Sequence, residues 1–262
     1  MGVVNVTPDS FSDGGLWVDP QAAVAHGLEL HAEGAGILDV GGESTRPGAD
    51  PVGVAEELGR VVPVVRELCA ALTGATVSID TTKAQVAREA IDAGATYVND
   101  VTALRGDPEM AAVVADAGCE LCLMHMLGTP RTMQDDPSYG DVVAEVAAFL
   151  SERADFAIAA GVEPERIQLD PGIGFGKTLE HNLQLLGRLD EIAAIGFPVV
   201  AGLSRKSFLG TITGREEPAA RVSASVAGAV LAWERGASVL RVHDVAATVD
   251  ALKVAAATLG AP

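Results

Sequence analysis

From one end of the chain to the other, aliphatic runs too brief for a helix alternate with longer stretches of helical spacing, and this rhythm leaves few architectures open. The runs fall at 2–6, 37–42, 77–81, 97–102, 120–126, 167–170, 199–204 and 239–244. Helix-like stretches lie between and after them, at about 19–33, 51–72, 83–93, 108–117, 141–160, 181–194, 218–235 and 246–259. Asp19-Pro20 opens the first of these as an N-cap followed by an N1 proline. Strand-helix alternation implies parallel strands joined by helical crossovers. Eight such units in 262 residues predict closure into a single (β/α)8 TIM barrel over 1–262, rather than an open doubly wound sheet. No linker, low-complexity tract or internal repeat divides the chain. The first strand begins at residue 1 or 2, with nothing ahead of it to cover the bottom of the barrel, so the natural start is expected upstream.

Charge narrows the partners. A formal net charge of -18 excludes a nucleic-acid backbone or an anionic membrane, and an anionic small substrate would need a local basic pocket. Apolar residues make up 48% of the chain, yet no apolar run approaches the roughly 18 residues that span a bilayer. The N-terminus lacks the basic region of a signal peptide, and a soluble, cytoplasmic protein is expected. Three cysteines suit a reducing compartment. Cys119-x-x-Cys122 has half of a metal or redox spacing, but residues three apart on a strand face opposite sides, so both are read as buried and structural.

In such a barrel chemistry collects where strands end and helices begin. Those ends carry Asn5, then Glu43-Ser44-Thr45-Arg46, Asp80, Asn99-Asp100, His125, Asp170, Ser204-Arg205-Lys206, and Arg241 with His243-Asp244. Helix capping accounts for any one Asp, Asn or Ser among them, but it needs neither Lys206 nor the pair Arg241-x-His243. Alternation puts Arg241 and His243 on one side of the eighth strand, and two cationic or proton-bearing groups aimed at one spot suggest phosphate. Asp170 and Asn99, a carboxylate and an amide from different strands, can read a heterocycle with adjacent donors and acceptors, a pterin or a purine. The glycine-rich run Asp170-Pro171-Gly172-Ile173-Gly174-Phe175-Gly176-Lys177-Thr178 is not a P-loop, because Pro171 stands where the first glycine is required. Its glycines instead suit a tight turn that lets the backbone approach a ligand. Loops 7–18 and 43–53 are long for βα connections and read as lids. His26, His31 and His181 are taken as solvated.

Set in order, these residues resemble bacterial dihydropteroate synthases of the pterin-binding barrel group. The resemblance spans the chain. It rests on Asn5-Val6-Thr7-Pro8-Asp9-Ser10-Phe11-Ser12-Asp13-Gly14-Gly15 and Gly41-Gly42-Glu43-Ser44-Thr45-Arg46-Pro47-Gly48, supported by Ser78-Ile79-Asp80-Thr81, Val98-Asn99-Asp100, Leu123-Met124-His125-Met126, Leu169-Asp170-Pro171-Gly172, Ser204-Arg205-Lys206 and Arg241-Val242-His243-Asp244. It implies condensation of 7,8-dihydropterin-6-ylmethyl diphosphate with 4-aminobenzoate, releasing diphosphate and giving 7,8-dihydropteroate for folate synthesis. Asp80, Asn99, Asp170 and Lys206 would hold the pterin, with Met124 near its ring. Asn5, Arg241 and His243 would bind diphosphate, and Asn5 would also contact Mg2+. Phe11, Arg46, Pro47, Phe175, Lys206 and Ser207 would form the aminobenzoate pocket, where sulfonamides bind in the family. A homodimer through the outer helices is implied as well.

On that reading, expelled diphosphate leaves positive charge on the pterin methylene, which Asp13 and Asp80 would stabilise while Arg241, His243 and Mg2+ hold the departing anion. Lys206 would act at the same centre. Pterin diphosphate is expected to bind before aminobenzoate, with the two lids closing once diphosphate and Mg2+ are present and so completing the aminobenzoate pocket. A methyltetrahydrofolate–corrinoid methyltransferase would share the carboxylate and amide but would need neither the Asn5–Gly15 loop nor the Arg241/His243 pair. A catalytically silent paralogue that binds pterins or a protein partner is the rival of another class.

Overall fold

The structure, a computed structural model, describes residues 1–7, 19–45 and 48–259. Eight parallel strands form one sheet in the order of the chain. They are β1 (Gly2–Asn5), β2 (Ile37–Gly41), β3 (Thr76–Asp80), β4 (Tyr97–Asp100), β5 (Glu120–Met124), β6 (Ile167–Asp170), β7 (Val199–Ala201) and β8 (Ala237–Leu240). The ring closes through a parallel bridge between Gly2 and Val242, where Val3 N–H donates to the Val242 carbonyl at 3.1 Å. This is a (β/α)8 barrel. Two of its eight seams are thin: β6 meets β7 at one residue pair, Leu169 with Val199, and β8 meets β1 at that single bridge.

The helices are α1 (Pro20–Ala32), α2 (Val54–Ala71), α3 (Ala84–Asp92), α4 (Met110–Ala117), α5 (Val142–Ala159), α6 (Leu179–Gly187), α7 (Leu189–Ala193), α8 (Ser207–Thr213), α9 (Val222–Glu234) and α10 (Val245–Leu259). Asp19 caps α1 as its sequence predicts, accepting from Gln21 N–H at 2.9 Å. Three expectations are corrected. The stretch 181–194 is two helices, α6 and α7, broken at Arg188, which leaves helical geometry. The stretch 218–235 starts as a 3-10 turn over Pro218–Arg221, and α9 begins only at Val222. A short α8 stands where only a loop was expected.

Strand alternation divides the apolar residues into two cores. Val4, Leu38, Val40, Ile79, Val98, Leu121, Leu123 and Leu169 point outward and are sealed beneath the helices. Inside the barrel, Tyr97, Cys122 and Val200 pack with Met1, Ile37 and Val239. The Tyr97 hydroxyl donates to Gln168 Oε1 at 2.9 Å, and Gln168 Nε2 donates to Glu120 at 2.8 Å, so this lumen layer keeps its polar atoms paired. Cys119 lies in the outer core and Cys122 in the inner one, on opposite faces as alternation requires. The barrel floor is thus filled, and what lies above it is the site.

Candidate active site

A cleft opens at the C-terminal ends of the strands. Its lining includes Asp80, Asn99, Asp170, Lys206, Arg241 and His243, drawn from β3, β4, β6 and the segments that follow β7 and β8. Met124 and Phe175 supply apolar wall, packed with Val101, Met126 and Met133. A deep polar group facing an apolar wall suits a flat, nitrogen-rich ring.

The electrostatics are set by burial. Asp80 accepts from Arg241 Nη2 at 2.9 Å, yet burial pushes its carboxyl up to about 7, with Asp39 adding to the rise. Asp170 is likewise raised by burial, against the pull of Lys206, and its Oδ1 accepts from Gly172 N–H at 2.7 Å. Burial lowers Lys206 to about 8. Burial also opposes the charge of Arg241, but the carboxylates of Asp39 and Asp80 outweigh it and hold the guanidinium protonated. His243 receives its orientation from Ser204, whose Oγ lies 3.0 Å from Nδ1 and accepts from the His243 backbone N–H at 3.1 Å.

The loop after β6 is held on all sides. The Gly172 carbonyl accepts from Phe175 N–H, that of Ile173 from Lys206, that of Gly174 from Gln134 at 2.8 Å, that of Phe175 from Lys177 at 2.9 Å and that of Gly176 from Tyr139 at 2.8 Å. Glycine is required at two positions. Gly172 has φ +65° and a Cβ there would sit 1.8 Å from the His125 carbonyl oxygen, while Gly176, also at φ +65°, would meet the Leu127 Cβ at 2.6 Å. Phe175 is therefore a fixed wall, with Lys206 Nζ 4.6 Å above its ring.

Several strand-end residues turn out to be structural. Asp100 accepts from Thr102 N–H, Thr102 Oγ1 and Leu104 N–H, which holds the turn through Ala103 and Leu104, both at positive φ. His125 faces away from the cleft: its Nδ1 lies 2.9 Å from buried Lys177 Nζ, and burial lowers it to about 3, so it is neutral. Asp244 pairs with Arg205. Glu43 pairs with Lys83, which also meets fully buried Glu57, tying the start of the β2–α2 loop to α2 and α3. His181, read as solvated, is half-buried: it completes a capping box with Thr178 and lies 5.0 Å, edge-on, from Tyr139. Arg241 and His243 lie just past β8, which ends at Leu240, but both still face the cleft while Val242 between them is buried in the outer core.

Asn5 ends β1 beside Gly41, and Ser207 opens α8 directly after Lys206; neither is among the residues that line the cleft. Phe11, Asp13, Arg46 and Pro47 lie outside the described residues. Thr45, read at the end of β2 with Glu43, lines the cleft, and two contributors have no counterpart in a reading of strand ends for charge: Gly202 lines the cleft, and Asp39, fully buried in mid-strand β2, accepts from Ser78, Asn99 and Arg241. A lone carboxylate inside an aliphatic strand is the signal that marks it.

A barrel whose strand ends present carboxylate, amide, ammonium and guanidinium to one cleft is a ligand-binding α/β enzyme scaffold. Residues 1–243 match the family of pterin binding enzymes, and the chain belongs to that family. Its relatives are dihydropteroate synthases. That of Mycobacterium leprae is 52% identical over all of this chain and 93% of its own length. The structure of the Xanthomonas albilineans dihydropteroate synthase with 4-aminobenzoic acid is 55% identical, with a TM-score of 0.94 over 100% of this chain and 93% of that one. A structure of the same organism's enzyme in complex with 7,8-dihydropteroate is 51% identical, with a TM-score of 0.90 over 100% of this chain and 94% of that one.

Proposed function

We propose that this chain is a dihydropteroate synthase, joining 7,8-dihydropterin-6-ylmethyl diphosphate to 4-aminobenzoate with release of diphosphate. The observation that carries this reading is the division of the cleft. Asp80, Asn99 and Asp170 come from β3, β4 and β6, with Lys206 beside Asp170, and Arg241 and His243 come from the segment after β8. A ring rich in donors and acceptors can sit against the first group while its diphosphate meets the second. The names of the relatives point to the same reaction.

The chemistry then follows from charge placement. Arg241 and His243 stabilise the anion as the carbon–oxygen bond breaks, and Asp80 with Asp13 faces the positive charge left on the methylene. The arylamine is neutral and weakly basic, so the reaction depends on orientation and exclusion of water more than on a strong base. Phe175, Lys206 and Ser207 are assigned to the pocket that orients it, together with Phe11, Arg46 and Pro47, which lie outside the described residues. Mg2+ belongs to this reading: Asn5 would hold it, and it would supply neutralising charge for the substrate's phosphates. The donor set fits such an ion: among the described residues no group of three or more His, Cys, Asp or Glu could cage a metal, while the amide oxygen of Asn5 is a single hard ligand of the kind Mg2+ takes alongside phosphate and water. A homodimeric, cytoplasmic enzyme of one domain over 1–262 completes the reading. No described helix is long and apolar enough to cross a membrane.

Incubation with the pterin diphosphate, Mg2+ and 4-aminobenzoate should release diphosphate in an aminobenzoate-dependent way. Release that ignores aminobenzoate would defeat the proposal in favour of a pterin diphosphate hydrolase, and no release with intact pterin binding would favour a silent paralogue. Calorimetry should also find 4-aminobenzoate binding weakly to the free protein and tightly once diphosphate and Mg2+ are present. Equal affinity in both states would remove the ordered scheme.

A further inference from the structure

We infer that Asp39, one layer beneath the cleft, is the positioning residue that sets what Asn99 and Arg241 present to the substrate; this rests on the function proposed above. Its carboxylate is fully buried in β2 and is the shared acceptor for three strand-end segments: Ser78 Oγ from β3 at 2.6 Å, Asn99 Nδ2 from β4 at 3.0 Å and Arg241 Nε from beyond β8 at 2.6 Å. Two of these three donors line the cleft, whereas Asp39 does not.

The consequence for Asn99 is one of identity. A carboxylate only accepts, so the amide atom that faces it must be nitrogen, and the oxygen is left for the cleft. Asn99 thus offers a ring an acceptor and discriminates in favour of an N–H at that place. Without Asp39 the amide could turn over and offer donors instead.

The consequence for Arg241 is one of direction. Nε binds Asp39 and Nη2 binds Asp80, so the edge of the guanidinium that carries both is spent on the protein. Nη1 and the second Nη2 hydrogen remain to receive an anion. A guanidinium held by one carboxylate alone could pivot about that contact; two carboxylates from adjacent strands fix its plane. Ser78, which does not line the cleft, holds the other carboxylate oxygen and keeps Asp39 from rotating.

The test compares wild type with Asp39→Asn by calorimetry, using two probes that report the two arms separately: inorganic diphosphate with Mg2+ for Arg241, and 6-hydroxymethyl-7,8-dihydropterin, which lacks phosphate, for Asn99. Loss of a hydrogen bond to a charged group predicts about 10- to 100-fold weaker binding of each. The KM for 4-aminobenzoate at saturating pterin diphosphate should stay within about twofold, since Asp39 touches neither Phe175 nor Ser207. Ser78→Ala, which keeps the charge, should weaken the same two probes by a smaller factor and serves if Asp39→Asn does not fold. Undiminished binding of both probes by either folded variant would overturn the inference, as would an equal loss for aminobenzoate, which would make Asp39 a general support of the barrel. Failure of wild type to bind either probe would instead count against the proposed function.

Discussion

Lys177 shows what the residue scale adds to the sequence. It reads as the end of a glycine-rich loop, yet the residue is 3% exposed and, among the described residues, its ammonium bonds to His125 Nδ1 and the Phe175 carbonyl, both uncharged acceptors. Burial, then the repulsion of Lys206, lowers it to about 7. Its unfolded counterpart keeps a proton up to about 10.5, so between about 7 and 10.5 the unfolded chain binds more protons and the contribution of Lys177 to stability rises with pH. Measured against Lys177→Met by denaturant unfolding, wild type should gain up to about 1.4 kcal/mol per pH unit across that window and show no such slope below it. Asp80, Asn99, Asp170, Lys206, Arg241 and His243 were legible as candidates because barrel topology alone places strand ends at the mouth. Asp39, in mid-strand, lies outside that rule, and Asp100 and His125 were not sorted by it: whether a polar side chain at a strand end faces the cleft or turns back onto its own loop depends on backbone geometry after the strand, which periodicity does not carry.

At the scale of elements the sequence predicts the eight strands and the helical crossovers, and it fails where a helix changes character partway. Arg188 separates α6 from α7 without a proline or glycine to announce it, and α8 is too short for a hydrophobic period to register. The loop after β6 was legible as a close backbone approach, and its rigidity was not, because the donors to its carbonyls come from Gln134, Tyr139 and Lys206, distant in the chain. Gly172→Ala should lower stability by at least about 2 kcal/mol in denaturant unfolding, since a positive φ and a collision with backbone combine there. Gly187→Ala, at the helical end of α6 with nothing within 4 Å of the added carbon, should change stability by less than about 1 kcal/mol or raise it. Comparable losses in both would show that the loop yields.

Seen whole, the barrel is not equally knit around its circumference. Ladders of three to five residue pairs join β1 through β6, and β7 pairs with β8 over three; β6 meets β7 at one pair, and β8 meets β1 at the Gly2–Val242 bridge, flanked by hydrogen bonds from Met1 N to the Leu240 carbonyl and from Val242 N–H to the Met1 carbonyl. Amide protons at the thin joins, those of Leu169 and Val3, should exchange faster than those inside the β2–β3 and β4–β5 ladders, and bound pterin diphosphate should slow them more than the rest. Uniform exchange around the ring would contradict this. Asp39, Asp80, Asn99 and Asp170 stand on the larger part, a six-strand trough, whereas Lys206, Arg241 and His243 hang from the smaller, a two-strand flap. A substrate whose ring lies in the trough and whose phosphates grip the flap becomes a strut across both joins. Breaking the bond between ring and phosphate then cuts the strut, so the same event that makes product loosens the walls that hold it.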